Sequence, residues 1–357
     1  MTDGMRHLPC GLDVKSNIGD SLSVMNSVCC KAAEEDLGFK IMDEVRVPVY
    51  LITGFLESGK TRFINNTIRQ DYFQIPETTL VINCEEGIEE YSSKEMLKYR
   101  AISADIEEKE ELTEEQMQQF EDTSHPGRVL IEYNPLWGMA DIENLDLPDG
   151  WGLMQEIVIV DSGTYGVYKN NMRSMFADMF RNADLVIFNR CREDMPLADY
   201  RRSIKVVNPS CEIVFEHAEG GMMDIFSDQM PYDLEADVIN IEDADFGIFY
   251  VDLRDNPDRY DGRMVHFRGK VQRSRFMPAK YFGIGWQAMT CCADDVQFIG
   301  YLAESPDASG FENGSFAEIV AKVEIRHMMA YRGKGPVFKV TEMKHTDPPA
   351  SELVYFS

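Results

Sequence analysis

The sequence predicts an α/β chain: a mostly parallel sheet covered by helices up to about residue 231, then a small all-β domain. Three observations predict it. An apolar, β-rich stretch, Val47–Thr53, runs into Gly54-Phe55-Leu56-Glu57-Ser58-Gly59-Lys60-Thr61, after which Phe63, Ile64, Thr67 and Ile68 repeat at helical spacing. Strand-like and helix-like stretches then alternate as far as about Ala218. Beyond about Tyr232 the helical periodicity gives way to short alternating runs separated by turn residues.

Taken in order, residues 1–44 show no clear period and hold Cys10, Cys29 and Cys30; they read as a leader, partly disordered or packed on the core. Residues 45–231 form the first domain. Its expected strands are 47–53, Thr78–Asn83, Arg128–Tyr133, Glu156–Asp161, Leu185–Asn189 and Glu212–Phe215. Helices are expected over Ser92–Arg100, where Ser92 and Glu95 suit a capping box, and from Thr113, with Gln116 in the matching place. Met172, Phe176, Met179 and Phe180 give a third helix its apolar stripe, and Leu197, Tyr200 and Ile204 a fourth. Strand–helix alternation implies right-handed crossovers and a parallel sheet, with ligands at the carboxyl ends of the strands. Residues 232–245 are acidic and read as a linker. Over 246–357 the runs Phe246–Leu253, Met264–Val271, Tyr281–Met289, Val296–Leu302, Phe316–Ile325 and Pro336–Met343 suggest a small barrel, OB-like by its strand spacing, with turns at Tyr260-Asp261-Gly262 and Arg332–Gly335.

Charge narrows the function. The 357 residues carry a formal net charge of -27, which argues against general binding to nucleic acid or anionic membrane. Cations, basic surfaces or Mg²⁺-neutralised nucleotides suit it better. Between Glu85 and Asp122 fourteen Asp/Glu stand against four Lys/Arg, a pattern that makes a solvated helical surface or a cation-handling face. No apolar run approaches the roughly 20 residues that cross a bilayer, and the start lacks the apolar core of a signal peptide. Eight cysteines without small-scaffold spacing fit a reducing cytoplasm.

The segment Gly54–Thr61 fits G-x-x-x-x-G-K-[ST] in its proper strand–loop–helix context, which makes this a P-loop NTPase by pattern. Contiguous backbone N–H groups and the helix dipole favour polyphosphate there. Lys60 would bridge the terminal phosphates and the Thr61 hydroxyl would hold Mg²⁺. Glu85 and Glu132 end the second and third expected strands, so both are candidates to coordinate Mg²⁺, directly or through water, or to orient the attacking water. The base reader should follow Leu185–Phe188, where Asn189-Arg190-Cys191-Arg192-Glu193-Asp194 stands in place of N-K-x-D. Arg192 cannot accept guanine's N1 and N2 protons; either Glu193 or Asp194 moves in, or guanine selectivity is weak.

On these motifs residues 46–220 resemble the CobW-type metallochaperone GTPases, which share G-F-L-x-[AS]-G-K-T, N-E-F-G, I-E-x-x-G and N-K-x-D segments. Gly54–Thr61 matches the first, with Glu57 where glycine is usual. Cys84-Glu85-Glu86-Gly87 matches the second at Glu and Gly, Ile131-Glu132 the third, and Val207-Asn208-Pro209 resembles the asparagine–proline segment after the base loop. The resemblance implies GTP contacts from Gly54, Glu57, Ser58, Gly59, Lys60, Thr61, Arg62, Asn189, Arg190 and Asn208. Lys60, Glu85 and Glu132 would carry catalysis, with Mg²⁺ at Thr61 and Glu85. The family's C-x-C-C motif is absent, since no cysteine lies between Cys84 and Cys191. Glu57 beside a polyphosphate is unfavourable unless it is offset or turned away.

The C-terminal segment resembles a different family, the C-terminal domain of putative two-part permease accessory proteins. Tyr260-Asp261-Gly262-Arg263-Met264-Val265, Met289-Thr290-Cys291-Cys292-Ala293-Asp294-Asp295 and Gly300 carry that likeness. Cys291 and Cys292 are either transition-metal ligands, with His266 and His327 as co-ligands, or core residues. Together the readings imply a slow GTPase switch using Mg²⁺ that traffics zinc or cobalt to a metal-receiving protein. The alternative is a nucleotide-binding regulatory or adaptor subunit of a membrane permease with little turnover. A P-loop kinase of a small molecule is a third reading, and it lacks an arginine-rich lid.

Overall fold

The computed structural model describes residues 45–223, 230–274, 277–289, 296–349 and 352–354. Cys291, Cys292 and the leader 1–44 lie outside them. The chain divides into two compact units: the first runs to Met195 and resumes over Cys211–Asp224, and the second takes Pro196–Ser210 and the remainder.

The first unit is built from β1 (Val47–Thr53), α1 (Lys60–Thr67), β2 (Thr79–Asn83), α2 (Ser93–Met96), β3 (Ala101–Asp105), α3 (Glu114–Ser124), β4 (Arg128–Tyr133), α4 (Met139–Glu143), β5 (Trp151–Asp161), α5 (Ser162–Asn171), α6 (Arg173–Arg181), β6 (Leu185–Cys191) and β7 (Glu212–His217). Seven strands pair in the order β3-β2-β4-β1-β5-β6-β7, every ladder parallel. Ile52, Val81, Leu130, Ile157, Ile187 and Val214 pack one face against Ile64 of α1 and Ile68, the residue that caps it. Burial on both faces explains why β1 and β4 read as nearly continuous apolar runs. From β1 the chain turns one way for β2 to β4 and the other for β5 to β7, which opens a crevice at the carboxyl end of β1.

Local readings failed in two places here. β3 was not expected, because its Ala-Ile-Ser-Ala-Asp is only partly buried at the sheet edge. The Ser92–Glu95 capping box does not form: helix α2 ends at Met96, Ser92 makes no side-chain cap bond, and Glu95 takes Lys98 instead. At α3 the Thr113 hydroxyl does accept from Gln116 N at 3.2 Å.

The second unit comprises α7 (Leu197–Val207), β8 (Val238–Asn240), α8 (Phe246–Asp255), β9 (Met264–Gln272), β10 (Tyr281–Met289), β11 (Val296–Glu304), β12 (Phe316–Met328), β13 (Gly333–Thr346) and β14 (Leu353–Val354). Its sheet follows the order β14-β10-β11-β13-β12-β9-β8, and an added β9–β10 pairing closes the circuit β9-β10-β11-β13-β12. Phe249, Phe267, Trp286 and Phe338 centre its core. Phe246–Leu253, expected as a strand, is helix α8: Phe246, Phe249 and Leu253 are buried at i, i+3 and i+7, a helical period inside an apolar run. The acidic stretch 232–245, expected as a linker, folds into this unit, since Tyr232 and Ile239 belong to its core and Val238–Asn240 pairs with β9. No helix among the described residues is long and apolar enough to cross a membrane.

Candidate functional site

The loop Gly54–Gly59 joins β1 to α1, and its conformation follows from its glycines. Gly54 has φ 145°, and a Cβ there would stand 2.2 Å from the Ile159 carbonyl oxygen. Gly59, the N-cap of α1, has φ 100° and lies against Asn189. Glu57 also has positive φ, 62°, a conformation that suits glycine better than a β-carbon. Its side chain is exposed and turned to the loop after β2, where Oε1 accepts from Ile88 N at 3.3 Å.

Lys60 is buried, and its Nζ donates to Gly54 O at 2.8 Å, Phe55 O at 3.2 Å and Glu85 Oε2 at 2.5 Å. Thr61 Oγ1 donates to Glu132 Oε1 at 2.8 Å, and the Tyr91 hydroxyl donates to Glu132 Oε2. Burial raises the pKa of Glu132, while the bonds from Tyr91 and Thr61 and the Lys60 charge oppose the rise. Thr61 is thus paired with Glu132, and Glu85 with Lys60. Beside them the Cys84 thiol is pushed up to about 12, by burial first and then by Glu132, Asp105 and Glu85, so it stands protonated.

On the other side of the loop, Asn189 Nδ2 donates to Ser58 O at 2.6 Å. Arg190, with φ 55°, donates to Glu57 O at 3.1 Å and pairs with Asp161, whose Oδ1 also caps α5. Ser58 Oγ and Asn189 Oδ1 are buried without a hydrogen-bond partner among the described residues. Two cavities meet here. One is lined by Glu57, Lys60, Thr61, Glu85 and Glu132, the other by Arg62, Asn189 and Glu216, and Gly59 and Arg190 line both.

Most of the residues expected at this site therefore come together: Gly54, Glu57, Ser58, Gly59, Lys60, Thr61, Arg62, Glu85, Glu132, Asn189 and Arg190. Asn208 belongs to the second unit, where its Oδ1 accepts from Ser210 N at 3.1 Å in a local turn after α7. Arg192 and Asp194 are exposed and paired with each other at 3.0 Å, and neither they nor Glu193 lines the base-side cavity. Sequence reasoning missed Tyr91, Asp161 and Glu216. The end of an expected strand was a signal for Asp161, but nothing local marked Tyr91.

The donors fit a nucleotide with Mg²⁺: an all-oxygen set at Thr61, Glu132 and Glu85 is what that ion takes, and two buried orphan polar atoms border the loop. Among the described residues no group of three His, Cys, Asp or Glu side chains is arranged to hold a metal ion.

No curated protein matches the chain. Among solved structures it is similar to the Zn(II)-bound YjiA GTPase from E. coli, at 17% identity and a TM-score of 0.38 over 50% of this chain and 60% of that one, less than two thirds of its length. It is also similar to the hydrogenase maturation factor HypB from Archaeoglobus fulgidus, at 18% identity and TM-score 0.34 over 56% and 94% of the two chains. HypB from Helicobacter pylori in complex with nickel gives 14% and 0.32 over 54% and 86%. At such likenesses the chemistry has to be read from this chain's own residues. Residues 222–356 match the family model described as the DUF1980 C-terminal domain, so the chain joins a P-loop α/β unit to a segment of that kind.

Proposed function

We propose that the chain is a Mg²⁺-dependent GTP-binding and hydrolysing switch of the CobW type, with a low intrinsic rate, that serves the trafficking of a metal. The observation that carries the nucleotide reading is the loop itself, with Lys60 buried beneath it and Thr61 bonded to Glu132 at 2.8 Å. Backbone N–H groups of Gly54–Thr61 receive the phosphates, and Lys60 adds a positive charge at their terminus. Thr61, with Glu132 directly or through water, would hold Mg²⁺, which when bound neutralises phosphate charge. Glu85 and Tyr91 belong to the segment after β2 and are tied to Lys60 and Glu132. A phosphate that draws on Lys60 competes with Glu85, and this couples the nucleotide to that segment.

Metal cargo, zinc or cobalt, and a metal-receiving partner rest on the sequence resemblance of residues 46–220. The adaptor reading, a permease subunit with little turnover, rests on the C-terminal resemblance and the altered base loop. Calorimetric titration of GTP and ATP with Mg²⁺ into metal-free and zinc-loaded protein, followed by phosphate-release assays, separates them. GTP preference coupled to the metal state supports the switch. Binding without any stimulated hydrolysis supports the adaptor. Micromolar GTP binding retained by Lys60→Ala would overturn the site itself.

A further inference from the structure

The N-K-x-D position that should read the base holds Arg192, which faces solvent with Asp194. The strand beside it supplies a carboxylate instead. Strands β6 and β7 pair Phe188 with Phe215 and then Cys191 with His217, so Asn189 and Arg190 stand opposite the single residue Glu216. That is a β-bulge, with Arg190 in the left-handed region, and bulges of this kind re-aim side chains beside active sites. One pair earlier, Ile187 opposes Val214 on the face that packs α1. Glu216 lies two residues beyond Val214 and so shares that face.

Glu216 lines the same cavity as Gly59, Arg62, Ile159, Ile187 and Asn189, a space of about 180 Å³. Its backbone is fixed by a tight turn: Glu216 bridges to Met222, His217 N donates to Gly221 O at 2.8 Å and Ala218 N to Cys191 O at 3.0 Å. Burial raises the Glu216 carboxyl pKa and the Arg62 charge opposes it.

We propose that Glu216, reaching from β7 across the bulge, is the carboxylate that reads the purine, in place of the aspartate missing after β6. This rests on the nucleotide-binding reading above and names its specificity residue. Guanine offers two donors on one edge, N1–H and the 2-amino group, and an ionised carboxylate accepts both. Adenine offers a bare N1 acceptor on that edge, which a carboxylate repels. Ile159 and Ile187, both buried in the core of the sheet, form the apolar wall of the same cavity.

The test is calorimetric titration of GTP, ITP, XTP and ATP, each with Mg²⁺, into the full chain and its Glu216→Gln and Asp194→Asn variants. The wild type should prefer GTP over ATP, and over ITP, which lacks the 2-amino group, by about tenfold or more. In Glu216→Gln, GTP should weaken by about ten- to a hundredfold, while XTP strengthens, because the amide donates to xanthine O2 and accepts from N1–H. A merely structural role would weaken all four alike. Glu216→Gln with its GTP preference intact, or an XTP gain in Asp194→Asn instead, overturns the assignment and leaves the switch reading standing. Should the variant not fold, equal wild-type affinity for GTP and ITP overturns it. No nucleotide binding by the wild type removes both readings.

Discussion

Lys60 Nζ and Glu85 Oε2 lie 2.5 Å apart, with side chains only 2% and 9% exposed. A buried pair of this kind is costly to break from one side, because the remaining charge is left without compensation, at about 3–5 kcal/mol. Glu85→Gln should therefore lower the stability of the nucleotide-free protein by roughly that order. GTP with Mg²⁺, by engaging Lys60, should restore much of the loss. Thermal unfolding with and without nucleotide checks this: the nucleotide-induced rise in Tm should be larger in the variant than in the wild type. An equal rise in both would show that the phosphate does not draw on Lys60.

Glu57 combines two unfavourable features, a positive φ of 62° and a carboxylate lining the phosphate-side cavity. Glu57→Gly should relieve about 1 kcal/mol of backbone strain, offset in part by loss of the bond to Ile88. GTP binding should tighten several-fold as the repulsion disappears. Glu57→Ala should show the same gain in affinity without relief of the strain. Calorimetry and chemical denaturation on the pair separate the two effects.

Glu156, buried in β5, has its carboxyl pushed up from 4.5 to about 7, by burial first and then by the charges of Glu143 and Asp184. A carboxyl raised in the folded state stabilises most below its unfolded value, and that contribution is lost as pH rises through about 7. The loss amounts to about 3 kcal/mol at its limit. Glu156→Gln should flatten the stability profile between about pH 5 and pH 8 and exceed the wild type above it. Urea denaturation across that range measures the difference.

Much of the site was legible because its parts are local. The phosphate loop needs contiguous backbone donors between a strand and a helix, and Val47–Ile68 states all of that in one stretch. Glu132 was legible as a strand-end carboxylate. Tyr91 was not, because its hydroxyl meets Glu132 only through a fold contact 41 residues apart. The base side was less legible for the same reason: Asn189 lines the cavity beside the loop, whereas the carboxylates next to it in sequence, Glu193 and Asp194, are exposed and do not. Helix α8 was misread because an apolar run with two overlapping periods does not choose between strand and helix until a core surrounds it.

By itself the sequence determined the parallel sheet and the glycine-bounded loop between β1 and α1, it marked Lys60, Thr61, Glu85 and Glu132 as candidates for one site, and its acidity argues against general binding to nucleic acid. Those depend on residue type, spacing and local hydrogen bonding. Only the tertiary structure decided that Glu85 holds Lys60, that Glu57 turns toward Ile88, that residues 232–245 join the second unit and that Glu216 stands across a bulge from Asn189. Each of these is a contact between distant segments, set by strand order and register. One extra residue in β6 is enough to change which side chain faces the cavity.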